Sequence, residues 1–512
     1  LSAEAKTFRF SSQGDITTID PHGNNEGFTS AFLENIYETL VTRGKDLKVE
    51  PSLAVSWQQV SPTVMRFKLR EGVKFHDGTP FTAEDVVFSI GRALSDTSNF
   101  KPYLAGVKEA KKVDDLTVDI VTGGPAPVLV PQLSEVRIMS KAWCTKHNVT
   151  KPQDFKNKEE TFAVRNAMGT GPFLLYSREP DVKSVFKKNS NWWGLKEKGY
   201  FDGNVDEIVY TPVKNEGTRM AALLSGELDF VLDPPVQDVG KLKGNKAVKV
   251  YEGRENRIVF LGMDQGRDEL LYSNVKGKNP FKDRRVREAM YRLIDVNAIN
   301  KAVMRGLSVP TAINLPNPER AGIPKEMDKR YPYDVAAAKK LLAEAGYPNG
   351  FEVTIDCPNN RYINDEKICV AVAAMAAKAG ITMKVNAIPR ANYFPKAQRL
   401  DVSMYMLGWG GATTDAIFTL QPVLHSRNDK GDGDYNWGNY RHPEFDAMID
   451  SAKGDTDMKR RQETIVKAMK YHHDNVLHIP LHIQVIPWVS RANVSVVHRA
   501  DNWLQATWVK IQ

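Results

Sequence analysis

Met65-Arg-Phe-Lys-Leu-Arg-Glu-Gly-Val-Lys-Phe-His-Asp-Gly-Thr-Pro-Phe-Thr-Ala-Glu-Asp-Val-Val-Phe-Ser-Ile90 decides the fold. Met65, Phe67 and Leu69 alternate with Arg66, Lys68 and Arg70, so the segment reads as a strand with one apolar and one cationic face. Asp77-Gly78 reads as a tight turn, because glycine accepts positive φ and aspartate bonds its own backbone. Thr82 and Asp85 have capping-box spacing ahead of Val86, Val87 and Ile90, which predicts a helix. Strand, turn and capped helix in one short stretch point to an α/β protein.

Composition sets the outer limits. A chain of 512 residues is expected to hold two to four domains. Apolar content of 42% and charged content of 26% are those of a globular protein. The net charge of +8, from 70 basic and 62 acidic residues, is mild and scattered. Nucleic-acid binding needs a concentrated basic stripe, and none is present. No apolar run reaches the about 18 residues of a membrane span; Cys369 to Ala377 comes nearest and is closed by Lys378. The small, polar opening Leu1-Ser-Ala-Glu-Ala5 runs straight into Thr7-Phe-Arg-Phe10, as in a chain trimmed near a signal cleavage site or in an ordinary cytosolic N-terminus lacking its Met. Cys357 and Cys369 are close enough to close a short loop in an oxidising compartment, but three buried thiols, Cys144 included, are the favoured expectation.

The clearest unit runs from Asp334 to Val385. Asp334 caps a helix over 335–345, Gly346 ends it and Pro348 blocks its continuation. Phe351, Val353 and Ile355 alternate as a strand, a helix follows over 365–378, and 381–385 forms a second strand. This spacing predicts a parallel βαβ crossover. Ligands of such sheets sit beyond the carboxyl ends of the strands, which singles out the loop after Ile355. A further helical stretch is expected from Asp283 to Met304, with Asp295 capping its continuation and Gly306 stopping it. Strands are expected at Phe173 and at the end of Gly226-Glu-Leu-Asp-Phe-Val231.

The order of residues in the opening stretch resembles the signature of the family 5 extracellular solute-binding proteins, which serve peptide and nickel ABC importers. Further matching motifs span the chain: Ile19-Asp-Pro-His22, Asn35-Ile-Tyr-Glu-Thr-Leu40, Pro51-Ser-Leu-Ala54, Gly169-Thr-Gly-Pro-Phe173, Asn191-Trp-Trp-Gly194, Gly226-Glu-Leu-Asp-Phe230, Phe281-Lys-Asp-Arg-Arg-Val-Arg-Glu-Ala-Met290, Ala338-Lys-Lys-Leu-Leu-Ala-Glu-Ala-Gly-Tyr347, Tyr435-Asn-Trp-Gly-Asn-Tyr440, His442-Pro-Glu-Phe445 and Ile479-Pro-Leu481. The resemblance implies a two-lobed periplasmic-binding-protein clamshell with an extra inserted domain and mixed sheets. It implies a discontinuous first lobe of residues 1–44, 166–255 and 479–512, an inserted domain of 45–165 and a C-terminal lobe of 256–478. It further implies ligand capture between the lobes, a membrane permease as partner, a monomer, no cofactor and a periplasmic or lipid-anchored location.

Asp415 closes Gly408-Trp-Gly-Gly-Ala-Thr-Thr-Asp415. Glycines 408, 410 and 411 let backbone approach a ligand closely. In the dipeptide-binding branch a matching aspartate pairs with the ligand α-amino group; the alternative is a cap on the helix beginning near Ala416. Arg361 resembles the arginine that grips the ligand carboxylate, a task suited to a planar fork; the alternative is a solvated loop arginine. Trp409 and Trp437 stack on ligand or belong to the core. Asn24, Asn25 and Glu26 line the cleft or form an ordinary polar loop, and Arg137, between apolar residues, loosely matches arginines that hold metal chelates in nickel-binding relatives.

The expected ligand is a short peptide or similar amino-acid-derived zwitterion; a nickel chelate, an opine or a sugar-like solute is the alternative. A hydrolase on the same scaffold is the alternative of another class, although no Gly-x-Ser-x-Gly elbow or His-Glu-x-x-His pair occurs. His472, His473, His478 and His482 resemble a metal cluster. Pro480 keeps a helix from presenting His478 and His482 together, and on a strand they lie about 13 Å apart, so a structural role is expected.

Overall fold

A computed structural model describes residues 4–411 and 413–512. Leu1, Ser2 and Ala3 of the small, polar opening and Ala412 of the glycine-rich stretch lie outside the described residues. The chain divides into two units, one running to Gly253 and resumed by Pro487–Gln512, the other Arg254–Ile486. The divisions fall inside two long strands, Val248–Met263 and Ile479–Arg491, so the chain passes between units without a loop.

In the first unit, Thr7–Ser11 lies parallel to both Glu207–Tyr210 and Phe230–Val231. Lys183–Lys188 and Phe173–Glu179 extend this sheet antiparallel, giving mixed pairing. Phe8, Phe32, Phe186, Tyr210, Phe230 and Trp488 pack its core. The expected inserted domain falls within this unit. It holds a separate antiparallel sheet in the order Ala54–Ser61, Val64–Leu69, Thr117–Thr122, Val107–Asp114. Phe67 and Leu69 point inward while Arg66 pairs with Asp119, as the alternation requires. Gly78 takes φ 87°, and the Thr82–Asp85 box opens the helix Ala83–Ala93.

In the second unit, Glu352–Pro358 runs parallel to Thr382–Ile388 through the helix Asp365–Ala376, the crossover expected from the sequence. It also runs parallel to Met404–Gly410, which pairs antiparallel with Val248–Met263. Asp334 caps Val335–Glu344 by accepting the Ala337 N–H at 2.9 Å. Asp283 caps Arg284–Leu293 and Asp295 caps the short continuation.

The expected trio of thiols is corrected. Cys357 and Cys369 form a disulfide with Cα atoms 6.8 Å apart, and only Cys144 remains a buried thiol. The strand runs on to Pro358, past the expected end at Ile355, which carries Cys357 to the first turns of the following helix.

Candidate functional site

Arg361 and Asp415 follow two neighbouring parallel strands, Glu352–Pro358 and Met404–Gly410. Both loops therefore leave the carboxyl end of one sheet, where α/β folds place ligands. Arg361 is 9% exposed, so it is not the solvated loop arginine. Its loop is pinned residue by residue. Asp365 accepts the N–H groups of Arg361 and Tyr362 at 2.9 Å each, and burial pushes the Asp365 carboxyl up to about 6 against these bonds. The Tyr362 hydroxyl donates to Gly408 O (3.0 Å), the Ile363 N–H to Gln484 Oε1 (3.1 Å) and Asn364 Nδ2 to Val303 O (2.9 Å). Gln484 in turn donates to Glu255 (2.6 Å), which pairs with Arg257 (2.8 Å). This lattice presents Arg361 from a rigid support.

Asp415 is engaged by the protein itself. Arg461, 2% exposed, donates to its two oxygens at 2.7 and 2.8 Å, and the Ile417 N–H donates to Oδ1 at 2.9 Å. Asp415 thus braces the chain just ahead of the short helix Ile417–Thr419, whose N-cap position is Ala416, and its partner Arg461, 46 residues downstream, has no signature in the residues around Asp415. Two of the glycines have internal reasons. A Cβ at 408 would overlap the Tyr362 ring, and one at 410 the Asn256 carbonyl oxygen. Only Gly411, at φ 151°, faces space with no described atom within 4 Å. Trp409 donates its indole N–H to Phe418 O (2.8 Å) and packs on Tyr435. Trp437 has no exposed surface and is enclosed by Tyr393, Phe394, Tyr405 and Tyr435. No ligand can stack on it without moving those rings, so the core alternative describes it.

The first-unit candidates also have structural duties. Glu26 caps the helix Gly27–Leu33, accepting the Thr29 N–H at 2.8 Å and the Phe28 N–H at 3.2 Å. Asn24 donates to Thr17 (3.0 Å) and Asn25 to Tyr103 (3.2 Å). Arg137 is fully buried, donates to Glu135 O and Ser30 O at 2.9 Å each, and lies over the Trp503 ring. Two of its nitrogens thus brace backbone carbonyls, while its buried Nε has no hydrogen-bond partner among the described residues.

Residues 48–431 match the family described as bacterial extracellular solute-binding proteins, family 5, middle region. The chain belongs to this family. Heme-binding protein A of Haemophilus influenzae is 30% identical over 478 residues, covering 88% of this chain and 82% of that protein. Glutathione-binding protein GsiB of Escherichia coli K12 is 29% identical over 429 residues, 81% and 77% of the two. Among solved structures, the periplasmic binding protein DppA of Helicobacter pylori with the peptide STSA superposes with a TM-score of 0.86 at 24% identity, covering 99% of this chain and 98% of that one. A dipeptide-binding protein of Pseudoalteromonas with Met-Leu gives 0.86 at 20% identity, covering 99% and 100%. These likenesses show the fold, that of the two-lobed periplasmic binding proteins. The family binds solutes for ABC importers outside the cytoplasm. No helix among the described residues is long and apolar enough to cross a membrane.

In this solute-binding protein four of the motifs meet in the first unit. Glu38 accepts from Trp192 Nε1 (3.0 Å), Trp193 Nε1 (2.9 Å) and Thr170 Oγ1 (2.7 Å). His76 donates its backbone N–H to Gly169 O (2.9 Å) and contacts Gly171 O through Nε2 (3.0 Å). Glu38 is 8% exposed, and burial pushes its carboxyl up to about 7 although all three donors oppose the shift. Of the four clustered histidines, His472, His478 and His482 are buried and His473 is partly exposed. His472 Nε2 lies 2.9 Å from His478 Nδ1, and burial lowers His478 to about 3 and His482 to about 4. One grouping, His425, Asp432 and Asp450, has metal-like spacing. Lys453 Nζ already bridges Asp432 (2.8 Å) and Asp450 (3.2 Å), supplying the cation from within.

Proposed function

We propose that this chain captures a short peptide or another amino-acid-derived zwitterion and delivers it to an ABC permease, acting as a monomer, periplasmic or lipid-anchored, without catalysis. The observation that carries this reading is a pair of opposite charges, Arg361 and Asp415, after the carboxyl ends of adjacent parallel strands. A guanidinium suits a carboxylate and an aspartate suits an ammonium, so the two together suit a zwitterion. The likeness to a glutathione-binding protein and to structures holding peptides supports the same ligand class. Ligand binding would raise the population of the form the permease recognises.

The test is calorimetry with di-, tri- and tetra-alanine, glutathione and heme. Removing one partner of a buried charge pair costs about 3–5 kcal/mol, so N-acetylation or C-amidation of a bound peptide should weaken it by at least about a hundredfold. Asp415→Asn should erase the preference for a free amine and Arg361→Gln that for a free carboxylate. Equal affinity for native and blocked peptides would refute the zwitterion reading. Tight binding of heme alone would replace it, and peptide cleavage during incubation would point to a hydrolase.

A further inference from the structure

We infer that Arg461 positions the Asp415 carboxylate for a ligand amine and thereby makes the site select amines by hydrogen-bond direction instead of by net charge. The inference rests on the zwitterion reading above.

Arg461 stands on the helix Met458–Asp474, and its side chain is held from both sides. Its Nε donates to Ala452 O at 2.8 Å, near the end of the helix Pro443–Gly454, and its two terminal nitrogens take one oxygen each of Asp415. A planar fork on a planar carboxylate fixes distance and plane together. A carboxylate has about four lone-pair sites. On Oδ1 two are used, by Arg461 and the Ile417 N–H; on Oδ2 one is used, by Arg461. Among the described residues a single acceptor direction remains, on Oδ2, and the Asp415 side chain is 26% exposed while the Arg461 side chain is 3% exposed.

The pairing changes what the site can attract. Asp415 with Arg461 is neutral as a pair, so an approaching cation meets a dipole and not a full negative charge. An ammonium aligned with the open Oδ2 position still gains a charge-assisted bond; a misaligned cation gains little. A lysine at 461 would keep the charge but bond as a point, leaving the carboxylate free to swivel.

The experiment compares the peptide of the panel that the wild type binds best with its N-acetyl form, by calorimetry, on wild type, Arg461→Lys, Arg461→Gln, Asp415→Asn and the Arg461→Lys/Asp415→Asn double variant. Thermal unfolding of each variant is recorded alongside. The expected ratio of dissociation constants, acetylated over free, is about 100 in the wild type and falls to about 10 in Arg461→Lys, one charge-assisted bond's worth of alignment. In the Asp415→Asn background the lysine should change the ratio no further. If both constants rise together and the ratio stays put, Arg461 is only framework and the inference is wrong. Wild-type behaviour in both Arg461 variants, or loss of folding in both, overturns it as well. A wild type that binds no peptide, or binds both forms equally, refutes the zwitterion reading instead, and the inference falls with it.

Discussion

Glu38→Gln isolates the one buried carboxylate on which Thr170, Trp192 and Trp193 converge. The native Glu38 titrates at about 7 against an ordinary value of 4.5, chiefly because burial penalises its charge. The native state therefore holds a proton that the unfolded chain gives up at lower pH. Stability from this group is fully present below about pH 4.5 and is lost as pH rises through about 7. At about 1.4 kcal/mol per pH unit of separation, the loss comes to about 3 kcal/mol, or several degrees at about 2–4 °C per kcal/mol in a unit of this size. Glutamine is isosteric and does not titrate, but its amide NH₂ faces donors, so the variant starts with a constant handicap of about 1–3 kcal/mol. The pH-dependent part is free of that handicap. The difference in urea midpoint between wild type and Glu38→Gln should shift in favour of the variant from pH 5 to pH 8, and infrared difference titration should show a protonated carboxyl band that the variant lacks. A difference that stays constant over this range would refute the argument.

Three further outcomes follow from the second unit and its strands. Cys357→Ala/Cys369→Ala should lower its unfolding free energy by about 3 kcal/mol, from the short loop the disulfide closes; chemical denaturation under non-reducing conditions reads this directly. Gly410→Ala should impair folding, because its Cβ would overlap the Asn256 carbonyl, whereas Gly411→Ala meets open space and pays only for its φ of 151°; soluble yield and melting temperature separate the two. Buried neutral histidines at 472, 478 and 482 give stability present above about pH 6.5 and lost as pH falls towards the lowered native values of about 3 for His478 and 4 for His482; native-state hydrogen exchange at pH 7 and pH 4.5 should show the Ile479–Arg491 strand opening more readily in acid.

The crossover read from Asp334 to Val385 was legible because each boundary carries its own local chemistry: Asp334 accepts a backbone N–H, Gly346 and Gly380 take positive φ, and the strands alternate. The candidate site was legible only in outline. Parallel strand ends located Arg361 and Asp415 through topology, but partners far along the chain decided what each could do. Glycine spacing announced a close approach without saying of what, and the approaching atoms are the Tyr362 ring and the Asn256 carbonyl. Trp437 and Trp409 look alike in sequence, yet one sits inside four rings and the other caps Phe418 O. The contacts of Arg137 and the pairing of Arg461 have no local signature, because their acceptors are carbonyls and a carboxylate supplied largely by tertiary structure.

The stretch Met65 to Ile90 is tied to the scaffold by these same contacts. Its His76 reaches Gly169 and Gly171, whose backbone passes so near Ile36 O that a Cβ at either would overlap it. The neighbouring Thr170 hydroxyl meets Glu38, as do both tryptophans of the Asn191-Trp-Trp-Gly194 motif. Each motif thus satisfies a polar group of another, and removing the Glu38 carboxylate leaves the Thr170, Trp192 and Trp193 donors without that acceptor, at about 1–3 kcal/mol. Mutual contacts of this kind tie the four motifs to the scaffold. Asp415 stands under a weaker constraint: among the described residues its framework contacts use three of about four acceptor directions. The recognisable spelling therefore identifies the fold, while the proposed zwitterion reading rests on the direction left open at Asp415 and on the support behind Arg361.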